Sequence, residues 1–200
     1  MTVINKEIPG VDPKQQQILA AAFEAFSLYG FKRTSMEDIA KGAGMSRAAL
    51  YLHYRNKEDI FRSLAQGYYD MAVAEVSDVL QRDAFPVQAL KDAFNAQAGP
   101  VFEALLASPH GQELLDAKQT HTSDIVADGD ARLIAVYADW LRRQDANGTV
   151  DLKALGGDAK DVATTIYVAL HGIKTSLPVP TEFRASINRL ATLFGRALNK

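Results

Sequence analysis

The 200-residue chain contains no cysteine. Disulfides, thiolate zinc sites and cysteine nucleophiles are therefore excluded. No stretch reaches the roughly 18 uninterrupted apolar residues that a membrane span needs. The segment Met1 to Val11 lacks a charged region followed by an apolar one, so it does not read as a signal peptide, and a cytoplasmic protein is expected. There is no phosphate loop, no nucleophile elbow and no zinc-binding HExxH. Nor is there a convincing run of alternating apolar and polar residues of the kind a half-buried strand shows. Internal repeats and low-complexity tracts are likewise missing. What is present is an ordinary globular composition, 48% apolar and 23% charged, which is enough to build a core.

The apolar spacing predicts an all-α chain. Residues 1–13, with Pro9, Gly10 and Pro13, read as a flexible arm. Ile18, Leu19, Ala22, Phe23 and Phe26 then mark one buried helix face, with Gly30 as its C-cap. Ser35 and Asp38 have the spacing of a capping box, followed by Met36, Ile39, Ala40 and Ala43 at helical intervals. This short helix stops at Gly42-Ala43-Gly44, and Ser46 is placed to cap the next, Arg47 to Tyr51. A fourth helix is predicted from Asn56 to about Arg82, with Ile60, Leu64 and Tyr68 on its inner face. Further helices are predicted near 87–107, 110–118, 122–146, 158–175 and 181–198. Pro100 is expected to kink or split the first of these after Gly99, and Leu177-Pro178-Val179-Pro180 to separate the last two.

The net charge of −2 conceals an asymmetry. Residues 30–57 hold six basic groups (Lys32, Arg33, Lys41, Arg47, Arg55, Lys57) against Glu37 and Asp38, a net of +4. Residues 65–200 hold 13 basic and 17 acidic groups, a net of −4. A small basic face on an acidic body is the footprint of a segment that touches phosphate. The basic window coincides with the two short helices and their glycine turn, the pattern of a helix-turn-helix.

The residue types suit that role. Arg47 can reach a guanine edge or a phosphate, while Ala48 and Ala49 let a helix approach the groove floor and meet a thymine methyl. Tyr51 and His53 can donate to phosphate oxygens. Lys57 sits in the first turn of the next helix, whose free N–H groups and positive dipole end favour an anion. Thr34 and Ser35 offer the same at the second helix. Taken singly, Tyr51 also fits a core position, His53 a packing histidine and Lys57 a solvated charge; their joint placement around one turn favours DNA.

The segment Ile18–Leu64 resembles the N-terminal domain of the TetR family of regulators. The pattern is carried by Gly30-Phe31, Thr34-Ser35, Asp38-Ile39-Ala40, Gly44-Met45-Ser46, Leu50-Tyr51, His53-Tyr54 and Lys57-Glu58, with Tyr54 where phenylalanine is commoner. The match covers about a quarter of the chain. It implies an N-terminal three-helix DNA-binding domain (residues 14–62), and a C-terminal helical bundle for ligand binding and dimerisation (63–200). By the same analogy Arg47, Ala48, Ala49 and Tyr51 face the major groove, and Thr34, Ser35, Ser46, His53 and Lys57 hold the backbone. The implied function is a ligand-responsive repressor that binds a palindromic operator as a homodimer.

The resemblance fades after about residue 70. Beyond it, aromatic and polar residues interleave (Phe94, Asn95, Gln97, Phe102, His121, Tyr137, Trp140, Tyr167, His171). An apolar lining with a few polar groups is what a small, partly apolar effector needs, and Phe102, Tyr137, Trp140 and Tyr167 are the candidate lining. Val162, Ile166, Ala169, Leu170 and Ile173 form one helical stripe, and Phe183, Ile187, Leu190, Phe194 and Leu198 another. From these, Val162, Ile166, Ala169, Ile173, Phe183, Ile187, Leu190 and Phe194 are the candidate dimer interface, an intermolecular four-helix bundle; packing inside one monomer is the alternative. No cofactor and no metal are expected. Two other functions stay open: a metal-dependent enzyme using His121, Asp124, Asp128 and Asp130, and a helical module that binds only proteins.

Overall fold

The computed structural model describes residues 10–176 and 180–199, the side chains of 99, 100, 175, 176 and 180 excepted. The arm before Gly10 and the break at Leu177-Pro178-Val179 lie outside the described residues. The helices are α1 (Pro13–Tyr29), α2 (Met36–Gly42), α3 (Arg47–Tyr51), α4 (Lys57–Leu80), α5 (Pro86–Ala107), α6 (Gly111–His121), α7 (Ser123–Ala146), α8 (Ala159–Ser176) and α9 (Pro180–Leu198). Among the described residues the one β-type pairing noted is an isolated bridge between Val150 and Asn199, and the fold is all-α. No described helix is long and apolar enough to cross a membrane.

The local signals act as their chemistry requires. Asp12 caps α1, its Oδ1 accepting from the amides of Lys14 and Gln15 at 2.8 and 3.0 Å. Gly30 ends α1 with φ of 82°, a conformation costly for other residues. A Cβ at Gly30 would also lie 2.3 Å from Oε2 of Glu113. Ser35 and Asp38 form the reciprocal capping box of α2, Ser46 caps α3 by accepting from the Ala49 amide, and Asn56 Oδ1 accepts from the Asp59 amide at the start of α4. α5 runs unbroken through Pro100, so the expected split does not occur.

Two compact units are present. The first gathers residues up to Met71 with Pro100–Asp128. Its core joins Ile18, Leu19, Ala22 and Phe26 of α1 to Met36, Ile39 and Ala40 of α2, Leu50 of α3, Ile60 and Phe61 of α4, and Leu114 and Ala117 of α6. On α4 the buried face is set by Ile60, Phe61, Ala65 and Tyr69; Leu64 and Tyr68 are only half-buried. α6 runs to His121, three residues beyond its sequence-based end. The His121 ring packs 4.9 Å from Phe31 and its carbonyl accepts from Arg62 at 2.8 Å, contacts that composition does not display.

Phe31 is the hub of this unit. Its ring lies 5.4 Å from Phe26, 5.0 Å from Phe61 and 4.9 Å from His121. Nearby, Arg62 grips both carboxylate oxygens of Asp124 at 2.9 and 2.6 Å. The guanidinium holds the Asp124 carboxyl down to about 2 from its ordinary 3.8.

The second unit comprises Ala72–Gly99 and Gly129 onwards. Its fully buried side chains include Phe94, Trp140, Tyr137, Ile166, Leu170, Phe183 and Ile187. α9 approaches the start of α5 so closely that a Cβ on Gly195 would sit 2.4 Å from the Cα of Val87.

Two outcomes follow for the first unit. Phe31→Ala is expected to lower stability by about 3 to 5 kcal/mol, the usual range for emptying a buried phenylalanine site; urea denaturation measures it, and a loss under about 1 kcal/mol would show that Phe31 is no hub. The Arg62–Asp124 pair has a depressed folded-state carboxyl pKa. Its stabilisation is therefore complete above 3.8 and fades as pH falls through about 2. Asp124→Asn is expected to flatten that part of the stability-versus-pH curve.

Candidate nucleic-acid interface

The helix-turn-helix begins with a loop, residues 30–34, that is fixed from several sides. The Lys57 ammonium, at the start of α4, donates to the carbonyls of Phe31, Lys32 and Thr34 at 2.8, 2.9 and 3.0 Å. These three bonds use all three N–H donors of the group. The same ammonium lies 4.9 Å from the Phe31 ring centroid, a cation–π contact. Thr34 is buried, and its hydroxyl reaches the carbonyls of Gly30 at 2.7 Å and Ala25 at 3.2 Å. The Lys32 amide donates to Glu113 of α6 at 2.9 Å. That bond, with His110 beside it at 3.2 Å, holds the Glu113 carboxyl below its ordinary value.

These contacts bear on two of the sequence-based assignments. Thr34 and Lys57 were placed among the residues that hold the DNA backbone, at the N-termini of α2 and α4. The Thr34 hydroxyl instead points into the core, and the Lys57 ammonium is saturated by backbone carbonyls. Both build the scaffold on which α2 and α3 sit. Ser35 is exposed, but its hydroxyl is engaged with Asp38 at 2.6 Å; this pairing, from side chain and then backbone of Ser35, lowers the Asp38 pKa.

The outer surface of α3 is open. Leu50 is fully buried and anchors the helix, while Arg47 and Ala48 are exposed and Ala49 is half-buried. Arg47 donates to the Tyr51 hydroxyl at 3.2 Å and lies 5.5 Å from that ring's centroid. The hydroxyl pushes the guanidinium pKa further up. Tyr51 is 44% exposed, and His53 and Ser46 are exposed as well. Tyr54 is half-buried, and its hydroxyl bonds Ser63, so the extra oxygen at this phenylalanine-like position has a partner. Sequence reasoning passed over Leu52, which is 86% exposed beside Tyr51. Its helical distance from buried Leu50 was the available signal.

The effector candidates are buried. Phe102 belongs to the first unit; Tyr137, Trp140 and Tyr167 belong to the second. In the second unit the Tyr137 hydroxyl donates to Gln97 Oε1 at 2.9 Å, and the Tyr167 hydroxyl donates to Asp130. Gln97 is itself buried.

The interface candidates divide. Ile166, Phe183 and Ile187 are fully buried within the single chain, so they supply core and not interface, and the packing-inside-one-monomer alternative holds for them. Val162, Ala169, Ile173, Leu190 and Phe194 are half-buried. The outward apolar positions are Val168 at 60% and Leu193 at 63% exposure, one helical phase away from the stripes that sequence favoured. Of the acidic cluster weighed as a metal site, Asp124 is committed to Arg62 and Asp130 to Tyr167. Among the described residues no three such groups converge to hold a metal ion.

The staple reading of Lys57 has a direct consequence. Lys57→Met is expected to cost about 2 kcal/mol by stranding carbonyls, while leaving the salt dependence of any DNA binding unchanged. Unaltered stability with a salt slope reduced by about one ion would instead make Lys57 a phosphate contact.

With this geometry in place, residues 18–64 match the family model described as bacterial regulatory proteins, tetR family. The HTH-type transcriptional repressor KstR2 of Mycobacterium tuberculosis is 32% identical over 95 residues, covering 48% of this chain and 46% of that protein. The HTH-type transcriptional regulator RutR of Escherichia coli is 31% identical over 87 residues, 44% of this chain and 41% of its own. The matches thus span about half the length of these curated relatives or less. A transcriptional regulator from Cytophaga hutchinsonii superposes with a TM-score of 0.74 at 18% identity, covering 94% of this chain and 100% of its own. SmeT, solved in complex with triclosan, gives 0.65 at 23% identity over 94% and 93%. These likenesses extend the fold across nearly the whole chain, and its residues 18–64 are similar to the tetR family of bacterial regulatory proteins.

Proposed function

We propose that this chain is a ligand-responsive transcriptional repressor, not an enzyme, that acts in the cytoplasm and binds a palindromic DNA operator as a homodimer. Residues 14–62 form its DNA-binding domain and residues 63–200 its ligand-binding and dimerisation domain. The observation that carries the reading is the outward face of α3, exposed and cationic on a rigid loop. The family names of its relatives, repressor and regulator, support the same reading.

In this proposal Arg47 reads a base edge or phosphate, Ala48 and Ala49 permit close approach, and Ser35, Ser46, Tyr51 and His53 meet the backbone. Thr34 and Lys57 act indirectly, by holding the loop. Dimerisation uses the outward faces of α8 and α9, with Val168 and Leu193 joined by Val162, Ala169, Ile173, Leu190 and Phe194. Two recognition helices then enter successive major grooves about 34 Å apart. The effector site is assigned to the second unit, where Tyr137, Trp140 and Tyr167 offer aromatic surface and Gln97 an orienting amide. A ligand there changes DNA affinity only through a difference in its own affinity for two conformations.

The test is fluorescence anisotropy on duplexes from the promoter of its own gene and its neighbours. Salt-sensitive, sequence-selective binding is expected, and Arg47→Ala should weaken it by about 1 to 3 kcal/mol. Equal binding to every duplex, or none, would defeat the proposal.

A further inference from the structure

Among the described residues Leu52 is the most exposed of the large apolar side chains, at 86%. It follows α3 directly with helical backbone, φ −72° and ψ −23°. At about 100° per residue, Ala48 and Leu52 each lie about 160° from Leu50, the residue that pins α3 to the core. They therefore crown the face directed away from the protein. Arg47 and Tyr51, bonded to each other, run along one flank of this strip. The outer surface of the recognition helix is thus an apolar strip of Ala48 and Leu52 beside a cationic one.

The surroundings identify what covers that strip. Lys41 and Arg47 are exposed, as are His53 and Arg55, and the 30–57 window carries +4. An apolar protein partner would be met by a rim that is cationic on balance, Glu37 and Asp38 notwithstanding, whereas a DNA groove is walled by phosphates that match it. Within the major groove the apolar group on offer is the thymine C5-methyl. A leucine has no donor for a phosphate, so its contribution there is apolar contact.

Resting on the DNA-binding reading above, we infer that Leu52, with Ala48, forms a thymine-methyl reader that sets part of the operator sequence. The strip selects a thymine at one position in each half-site. Removing the methyl or the leucine removes the same contact, so the two losses do not add.

The experiment selects duplexes from a random-sequence pool with the full-length protein. Each thymine of the selected duplex is then replaced singly by uracil, which deletes only the methyl group. Wild type is expected to lose about threefold in affinity at one thymine per half-site, the scale of one buried methyl group. Leu52→Ala should bind the parent duplex about threefold or more weaker, and show no further loss at that same uracil. Leu52→Met, of similar volume, should keep the methyl preference; circular dichroism and thermal melting check that both variants fold. If Leu52→Ala binds as wild type does, or keeps the full uracil penalty, the inference fails while the DNA-binding reading stands. Failure of the pool to enrich any sequence overturns both.

Discussion

The arrangement of the helix-turn-helix segment depends on one ammonium group. Lys57 gathers the carbonyls of Phe31, Lys32 and Thr34 onto a single Nζ, and so joins the start of α4 to the loop that launches α2. A five-residue helix such as α3 has little stability of its own. Its direction is inherited from Leu50 in the core and from α2, which in turn is set by the capped loop behind it. Thr34, buried and bonded to α1, and Phe31, buried among three rings, complete that anchorage. Rigidity at this loop is what allows a short helix to present a fixed face.

The same loop is also held from α6. Glu113 receives the Lys32 amide, and His121 packs on Phe31. Arg62 then ties α4 to the start of α7 through Asp124. Each of these bonds sits within the first compact unit, so the helix-turn-helix segment and the helix α6 share one hydrogen-bonded and aromatic framework. Gly30 is required twice over, by its positive φ and by the carboxylate pressed against it. A substitution there would disturb α1 and the α6 contact together.

Much of this fold was legible in the residues. Caps at Ser35, Ser46 and Gly30 act through neighbours within a few positions, so local spacing reveals them. The all-α class followed from the period of the apolar residues. What escaped was decided at long range. Lys57 and Thr34 look like phosphate holders in sequence; only the folded loop brings carbonyls to Lys57 from 23 to 26 positions away, and to Thr34 from 4 and 9. The stripes on α8 and α9 were read as interface because periodicity locates an apolar face without saying what lies against it. Ile166, Phe183 and Ile187 proved to be core. Leu52 was missed for the opposite reason: it is apolar, yet the phase fixed by Leu50 turns it outward.

The central claim is that the outward face of α3 is where DNA lies. Photo-crosslinking tests it most directly, using a selected duplex carrying 5-iodouracil in place of thymine and mass spectrometry of the linked peptides. The account predicts crosslinks within residues 46–53, centred on Tyr51 and His53. Crosslinks confined to α8, α9 or another surface, with none in that segment, would contradict it.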